Sequence, residues 1–174
     1  SFYHRIASTV DIHLAVSRDS YNWHRPERRP IIDLSYDGGE YGSIYAVPNL
    51  IALSNCEWRL AFVGHQRLHD FLDRGATYPV DGDFRWASWP ENRLAGLEAA
   101  GEGSCVLVQR PCAGGELRLN FRTEKDGWVK VELVHPPSTP PRPVEPFAGF
   151  GLDQAETLSG DELSRVVRWN GKSD

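Results

Sequence analysis

The clearest alternation of hydrophobic and polar residues lies between Gly115 and Val134, which reads GELRLNFRTEKDGWVKVELV. Apolar and polar residues alternate over LRLNF and again over VKVEL, which is the period of a strand with one buried face. Between the two runs, Asp126-Gly127 is a turn signal, because glycine tolerates positive φ and aspartate bonds its own backbone. The pattern predicts an antiparallel hairpin, which needs further strands to pack against.

Short apolar runs along the rest of the chain predict those further strands. They are Asp11 to Ser17, Val47 to Ser54, Trp58 to Gly64, a run from Phe84 to Trp89, Leu94 to Leu97, Cys105 to Gln109, and Leu163 to Trp169. The polar residues before Trp23 predict a hairpin whose tryptophan packs back over the turn. Apart from a weak helical turn at His69 to Leu72, no helical period is present. The chain is therefore predicted to be all-β, with about a dozen short strands, as in sandwiches and propellers.

The composition changes near residue 100. Before it, tryptophan, tyrosine, histidine and glycine are frequent, and after it the strands alternate more cleanly. We place a boundary between two units at Ala99 to Ser104. In the second unit, Pro136 to Pro146 predicts an extended, exposed loop, because proline cannot donate a hydrogen bond to a sheet ladder.

Composition and charge exclude several classes of function. The 174 residues are 40% hydrophobic and 25% charged, which is ordinary for a globular protein. The formal net charge of −5 gives no long-range attraction to nucleic acid or to an anionic membrane. No apolar run reaches the length of a membrane span. The sequence contains no methionine, so we expect either that an upstream segment was removed or that the chain belongs to a longer parent polypeptide.

The cysteines give no metal-ligand spacing. Cys56, Cys105 and Cys112 lie too far apart in sequence for a zinc motif. A disulfide between Cys105 and Cys112 is one alternative, and three small buried thiols are the favoured one.

Several segments resemble one known family. LAVSRDSYNWHRP (Leu14 to Pro26) resembles a strand-turn-strand hairpin that recurs in five-bladed β-propellers related to glycoside hydrolase family 32. DGGEYGSIYAVP (Asp37 to Pro48), WRLAFVGHQRLH (Trp58 to His69) and RWASWPENRLAGLEAA (Arg85 to Ala100) resemble segments that follow it in one branch. The chain departs from that branch at Gly96-Leu97 and in the proline-rich insertion.

The C-terminal part carries the more specific resemblance. GGELRLNF, DGWVKVEL and FAGFGLDQAETLSGDELSRVVRWNGKSD are similar to the β-sandwich that closes chains of that family. The resemblance implies terminal propeller blades over residues 1–100 and an antiparallel β-sandwich over 101–174. It also implies a glycosidase-like parent that acts on carbohydrate, and a secreted or periplasmic location.

The family's catalytic acids lie in earlier blades, and we find none of their motifs in this sequence. We therefore expect the C-terminal portion of a carbohydrate-active protein, which needs an N-terminal remainder or another subunit to cover its exposed strand edge. The alternative is a non-catalytic carbohydrate-binding or structural β-sandwich module. An aromatic platform for sugar on a sandwich face would favour that alternative. Trp86, Trp89, Trp128 and Trp169 are its candidates, although aromatics in strands usually belong to the core.

The candidate substrate-binding residues lie in the glycine-rich loop and just after a strand. Asp37 and Glu40 are a pair of loop carboxylates with tyrosines nearby, Tyr45 among them, and glycoside hydrolysis uses two carboxylates. The alternative is that Asp37 only forms a turn and Glu40 is solvated. His65 and His69 would share a face if helical, but no third ligand is evident, and we assign them to the polar rim of a sugar site. We predict no metal ligand and no cofactor, and no Ser-His-Asp motif is present.

Overall fold

A computed structural model describes residues 1–70, 82–107, 114–136 and 144–173 of the protein. The chain divides into two compact units, Ser1–Leu97 and Glu98–Asp174. The described residues are all-β, as predicted, with nine strands and one short 3₁₀ helix at Tyr36–Gly38. The strands are β1 (Phe2–His4), β2 (Thr9–Asp11), β3 (Val16–Ser17), β4 (Trp23–His24), β5 (Ser43–Leu53), β6 (Glu57–His65), β7 (Asp83–Pro90), β8 (Arg118–Arg122) and β9 (Asp161–Val166).

The first unit is built on a five-stranded sheet with the order β1-β2-β5-β6-β7. Strands β5, β6 and β7 form a continuous antiparallel meander, and β1 is antiparallel to β2. The pair β2 and β5 is parallel and meets at Val10 and Ser43. The hairpin predicted for β5 and β6 is confirmed, and β5 begins earlier than expected. Its register shifts between Ala46 and Leu50, where Pro48 has no N–H to offer the ladder.

The hairpin of β3 and β4 is also confirmed. Val16 pairs with His24, and Ser17 pairs with Trp23. The Asp19 carboxylate accepts hydrogen bonds from the backbone N–H groups of Tyr21 and Asn22, at 2.9 and 2.8 Å. These bonds, with a further one from the Asn22 amide group, hold the pKa of Asp19 far below its usual range. The indole of Trp23 donates to the backbone carbonyl of the turn residue Ser20 at 3.2 Å.

One face of the five-stranded sheet packs on the core of the first unit. Side chains directly opposite each other on antiparallel strands point to the same face, which places Phe62 and Leu60 on the buried side. The core consists of Ile12, Ile32, Tyr41, Ile44, Leu60, Phe62 and Ala87. Ile12 and Ile32 form an isolated antiparallel bridge that ties the segment after β2 to the segment before the 3₁₀ helix.

The second unit corrects the predicted hairpin of residues 115–134. Strand β8 pairs with β9, and Val129 bridges Leu158 instead of facing β8. The turn itself exists, since the N–H of Gly127 donates to the carbonyl of Glu124 at 2.9 Å. Local alternation identified the apolar faces, but burial against a distant segment decided their partners. The core contains Ala155, Leu158, Val167 and Trp169, packed by Leu119, Phe121, Val129, Val131 and Phe150.

Three further predictions are wrong in the described residues. Leu94–Leu97 is not a strand, because this short run with Ala95 and Gly96 offers little side chain to bury. Residues 105–107 of the predicted buried strand are exposed and outside any strand. The thiols of Cys56 and Cys105 are exposed rather than buried.

Other predictions fall outside the described residues. They concern Cys112 with its disulfide, most of the proline-rich segment, and the end of the helical turn proposed at residues 69–72. Among the described residues, no helix has the length and apolar character needed to cross a membrane.

Candidate functional site

Aromatic side chains lie on the sheet face opposite the core, which we call the outer face. Tyr45 on β5 is directly opposite Val63 on β6, and Val63 is directly opposite Phe84 on β7. These three side chains therefore form one row across the sheet. Trp86 follows Phe84 by two residues and projects to the same side, because side chains alternate along a strand.

Phe84 and Trp86 are large apolar side chains exposed to solvent. Phe84 is 60% exposed and Trp86 is 47% exposed. Their ring centroids are 6.0 Å apart and their planes are perpendicular, which is a favourable edge-to-face arrangement. The two rings thus form one exposed aromatic surface on β7, an edge strand of the sheet.

Three of the five predicted site residues come together at one end of the outer face. The Tyr45 hydroxyl lies 2.6 Å from Nδ1 of His69, within hydrogen-bond distance. The Tyr45 ring is 6.0 Å from the ring of His65 and 6.0 Å from that of His69. His65 ends β6 and His69 lies in the following turn, so the segment between them is not helical. The structure therefore places these two histidines around a tyrosine and not on one face of a helix.

Tyr3 extends this group, and the sequence did not reveal it. Its ring centroid is 4.8 Å from that of His69, and its hydroxyl donates a hydrogen bond to the Asp70 carboxylate. This bond raises the pKa of Tyr3 and lowers the pKa of Asp70. Two tyrosines, two histidines and one carboxylate thus form one cluster at this end of the outer face. No local pattern links Tyr3 to His69, because the contact depends on how β1 joins the sheet.

Asp37 lies on the other side of the sheet. It belongs to the 3₁₀ helix, has φ of 52°, and its side chain is 76% exposed. Its carboxylate is 3.4 Å from Nη1 of Arg85, and Arg85 lies opposite Phe62 on the core-facing side. Asp37 therefore does not share a site with Tyr45, and its turn conformation agrees with the alternative considered for it.

Glu40 lines an open groove of about 760 Å³ in the first unit. Two other carboxylates, Asp11 and Asp33, also line it, together with Gln66 and Leu68. Asp33 already accepts hydrogen bonds from the N–H and the hydroxyl of Ser35, at 2.9 and 2.8 Å. Asp37 is not among the lining residues, so the predicted pair of Asp37 and Glu40 does not converge on this groove.

A network of three side chains links the glycine-rich loop to β7. The carboxylate of Asp83 accepts hydrogen bonds from Nε of Arg85 at 2.6 Å and from the hydroxyl of Tyr41 at 3.0 Å. The Arg85 bond, followed by the Tyr41 bond, lowers the pKa of Asp83. Burial and the bond to Asp83 raise the pKa of Tyr41. This network fixes the loop that carries Glu40 against the sheet.

A further cluster, which sequence reasoning missed, contains the side chains of His4, Asp11 and His13. Nε2 of His4 lies 3.1 Å from each carboxylate oxygen of Asp11. Nε2 of His13 lies 3.0 Å from Oδ1 of the same carboxylate. One ligand atom from each of the three residues can be chosen so that all lie within 4.8 Å of one another. These residue types are common metal ligands.

Comparison with known proteins gives no relative from which a function can be transferred. No protein-family model matches the chain, and neither the curated proteins nor the solved structures contain a match. The interpretation of the site therefore depends on its own geometry and on the sequence resemblance described above.

Proposed function

We propose that the chain is a carbohydrate-recognising part of a larger glycosidase-like protein and that the outer face binds the sugar. The observation that carries this proposal is the exposure of Phe84 and Trp86 on the same face as Tyr45. An exposed aromatic ring offers a flat apolar surface to the C–H face of a sugar. Apolar side chains exposed singly are normal, whereas neighbouring ones that form a patch mark a binding site for a ligand or a partner.

Polar groups on the same sheet face as Phe84 and Trp86 can form hydrogen bonds with the hydroxyl groups of a sugar. The hydroxyl of Tyr45 and the imidazole of His69 each can donate or accept hydrogen bonds. The ring of His65 is also near Tyr45, with 6.0 Å between the ring centroids. A small number of polar groups next to an apolar surface is the usual composition of a ligand site.

The geometry supports binding by this chain more than hydrolysis. A glycosidase uses two carboxylates, about 5 to 10 Å apart, on either side of the scissile bond. Among the described residues around Tyr3, Tyr45, His65 and His69, the carboxylate is that of Asp70, and it already accepts a hydrogen bond from the Tyr3 hydroxyl. On this proposal, the hydrolytic carboxylates belong to other parts of the glycosidase-like protein.

The family resemblance supplies the architecture that goes with this proposal. Residues 1–100 would form terminal propeller blades, and the antiparallel meander of β5, β6 and β7 is compatible with the strands of a blade. Residues 101–174 would form the closing β-sandwich. The parallel pairing of β2 with β5 is an addition to the simple four-stranded blade.

Affinity electrophoresis through gels containing fructans or arabinans tests the proposal. We expect one of these polysaccharides to retard the protein, and we expect Trp86→Ala to weaken the binding at least about tenfold, or 1.4 kcal/mol. Trp128→Ala is the matched control, because Trp128 is 57% exposed and lies in the second unit. Absence of retardation by both polysaccharides, or equal loss in the two variants, would reject the outer face as a sugar site.

A further inference from the structure

We propose that His4, Asp11 and His13 bind one divalent transition-metal ion, with Zn²⁺ as the best match. The inference does not depend on sugar binding, since the cluster involves none of the outer-face aromatic residues. It begins with the strand register. Phe2 is opposite Asp11 and His4 is opposite Thr9, so His4 and Asp11 are diagonal neighbours on one face of the β1–β2 pair.

The chain direction after β2 adds the third side chain. Asp11 and His13 are two residues apart in extended backbone, and side chains at that spacing share a side. Between them, Ile12 points to the core and is 4% exposed. The sequence Asp-Ile-His therefore fixes one carboxylate and one imidazole beside each other by burying the residue between them.

The distances suit a shared ion. Two ligand atoms bound to zinc at about 2.1 Å in tetrahedral geometry lie about 3.4 Å apart. Nε2 of His4 and Nε2 of His13 are 3.1 and 3.0 Å from oxygens of Asp11. Both nitrogens are therefore within about 0.4 Å of the tetrahedral spacing to a carboxylate ligand, and one ligand atom from each of the three residues lies within 4.8 Å of the others.

His13 provides an independent indication of a ligand. Its side chain is only 6% exposed, yet neither ring nitrogen makes a hydrogen bond within the described residues. The approach of Nε2 to Asp11 is short in distance, but it lies outside hydrogen-bonding geometry. Burying an imidazole without a partner costs free energy. Coordination by a metal ion would satisfy Nε2, which is the ring nitrogen nearest to the Asp11 carboxylate.

The simpler interpretation is an ion pair or hydrogen bond between histidine and aspartate. It accounts for His4, whose Nε2 reaches both oxygens of Asp11. For His13 it accounts for the 3.0 Å approach of Nε2 to Oδ1 of Asp11, but neither ring nitrogen of His13 makes a hydrogen bond within the described residues. A metal ion would give Nε2 of both histidines a partner with one group, while Nδ1 of His13 would still have no hydrogen bond within the described residues.

The donor set and its surroundings decide the class of metal. Two imidazole nitrogens and one carboxylate oxygen suit Zn²⁺ and the neighbouring transition metals, whereas Mg²⁺ and Ca²⁺ prefer all-oxygen sites. The ring of Phe2 lies 5.0 Å from that of His4 and 4.8 Å from that of His13, so an apolar wall limits access of water on this side. The His4 side chain is 39% exposed, which leaves an entry path and room for a water molecule as a further ligand.

The test is isothermal titration of Zn²⁺ into the 174-residue chain without a histidine tag, after treatment with a chelator and its removal. We expect the chain to bind one Zn²⁺ ion and to bind Zn²⁺ more tightly than Mg²⁺. In His4→Ala and in His13→Gln, the affinity for Zn²⁺ should fall at least about tenfold. His69→Ala is the matched control, because it removes an exposed histidine from the other histidine cluster. Its affinity for Zn²⁺ should equal that of the parent chain.

A second measurement identifies the ligands directly. In nitrogen-15 spectra of the histidine rings, addition of Zn²⁺ should shift Nε2 of His4 and of His13 and leave His24 unchanged. Because His4 is partly exposed, we expect His4→Ala to fold, and this variant still tests the site if His13→Gln does not fold. The proposal is overturned if no stoichiometric binding occurs, if His4→Ala binds as tightly as the parent, or if His69→Ala is the variant that loses the ion.

Discussion

The ring of Tyr41 occupies the space that a side chain at Gly64 would need. A Cβ atom at Gly64 would lie 2.3 Å from Cε1 of Tyr41, far inside the contact distance of two carbon atoms. This explains a glycine inside β6, where it would otherwise weaken the strand. A Cβ atom at Gly39 would likewise overlap the opposite edge of the same ring, at Cε2. The glycine-rich loop and the strand thus close around one tyrosine.

We expect Gly64→Ala to destabilise the protein by about 1–3 kcal/mol, the usual cost of overpacking a core. Tyr41 cannot move away freely, because it is 8% exposed and its hydroxyl is bonded to Asp83. Urea unfolding followed by tryptophan fluorescence measures the change. Gly96→Ala is the control, since a Cβ atom there meets nothing within 4 Å.

A double-mutant cycle makes this prediction specific. In a Tyr41→Ala background, Gly64→Ala should cost much less, because the clashing ring is gone. An equal cost in both backgrounds would show that the glycine is needed for a reason other than the tyrosine.

The hydrogen bonds of Asp83 predict a loss of stability in acid. The pKa of Asp83 is lowered in the folded state, first by Arg85 and then by Tyr41. A carboxyl group of this kind stabilises the folded state above its ordinary pKa of about 3.9, and the stabilisation disappears as the pH falls through the folded-state value. We therefore expect Asp83→Asn to lower the free energy of unfolding near neutral pH. Below about pH 4, the free energy of unfolding of this variant should fall less steeply with decreasing pH than that of the parent.

Urea unfolding at a series of pH values measures this slope. Glu102→Gln changes the net charge by the same amount in an exposed loop, and its acid slope should match that of the parent. If Asp83→Asn keeps the full acid slope, other carboxylates are responsible for it.

Residue patterns predicted strands better than they predicted strand partners. The hairpin of β5 and β6 was predictable because its two runs are adjacent in sequence and joined by a short turn. Strand β8 shows the opposite case, since its alternation was visible but its partner β9 lies far along the chain. The partner is chosen by packing against Val167 and Trp169, both buried, and this long-range preference has no local signal.

The candidate site shows the same limit. Tyr45 and His65 lie just outside the two strands that the sequence predicted, and they become neighbours because β5 begins earlier and β6 ends later than expected. Phe84 belongs to the candidate site only because its face of β7 is exposed. The spacing of Phe84 and Trp86 shows that they share a face, but it does not show whether that face is buried or exposed. In the cluster of His4, Asp11 and His13, the alternation of Asp-Ile-His shows from sequence alone that Asp11 and His13 share a side. The proximity of His4 to them depends on how β1 is aligned with β2, which the sequence does not show.

The turn between β5 and β6 predicts a stabilising substitution. Cys56 ends this three-residue loop with φ of 60°, a left-handed conformation that costs a non-glycine residue about 1–2 kcal/mol. Glycine adopts it freely but loses more entropy on folding. We expect Cys56→Gly to raise the free energy of unfolding by up to about 1 kcal/mol. Cys105→Gly, at an exposed cysteine without positive φ, should give no gain, and a gain there would contradict the argument.

The core of the second unit depends on Trp169. The indole is 3% exposed, and its Nε1–H donates to the carbonyl of Val131 at 2.9 Å. Trp169→Phe keeps an aromatic ring but removes this donor, so the partly buried carbonyl loses its partner and a void is left. We expect a loss of about 1–3 kcal/mol in the free energy of unfolding. Trp128→Phe, at a tryptophan that is 57% exposed, should change it by no more than about 0.5 kcal/mol. Equal values for the two variants in urea unfolding would mean that the indole hydrogen bond does not hold this core together.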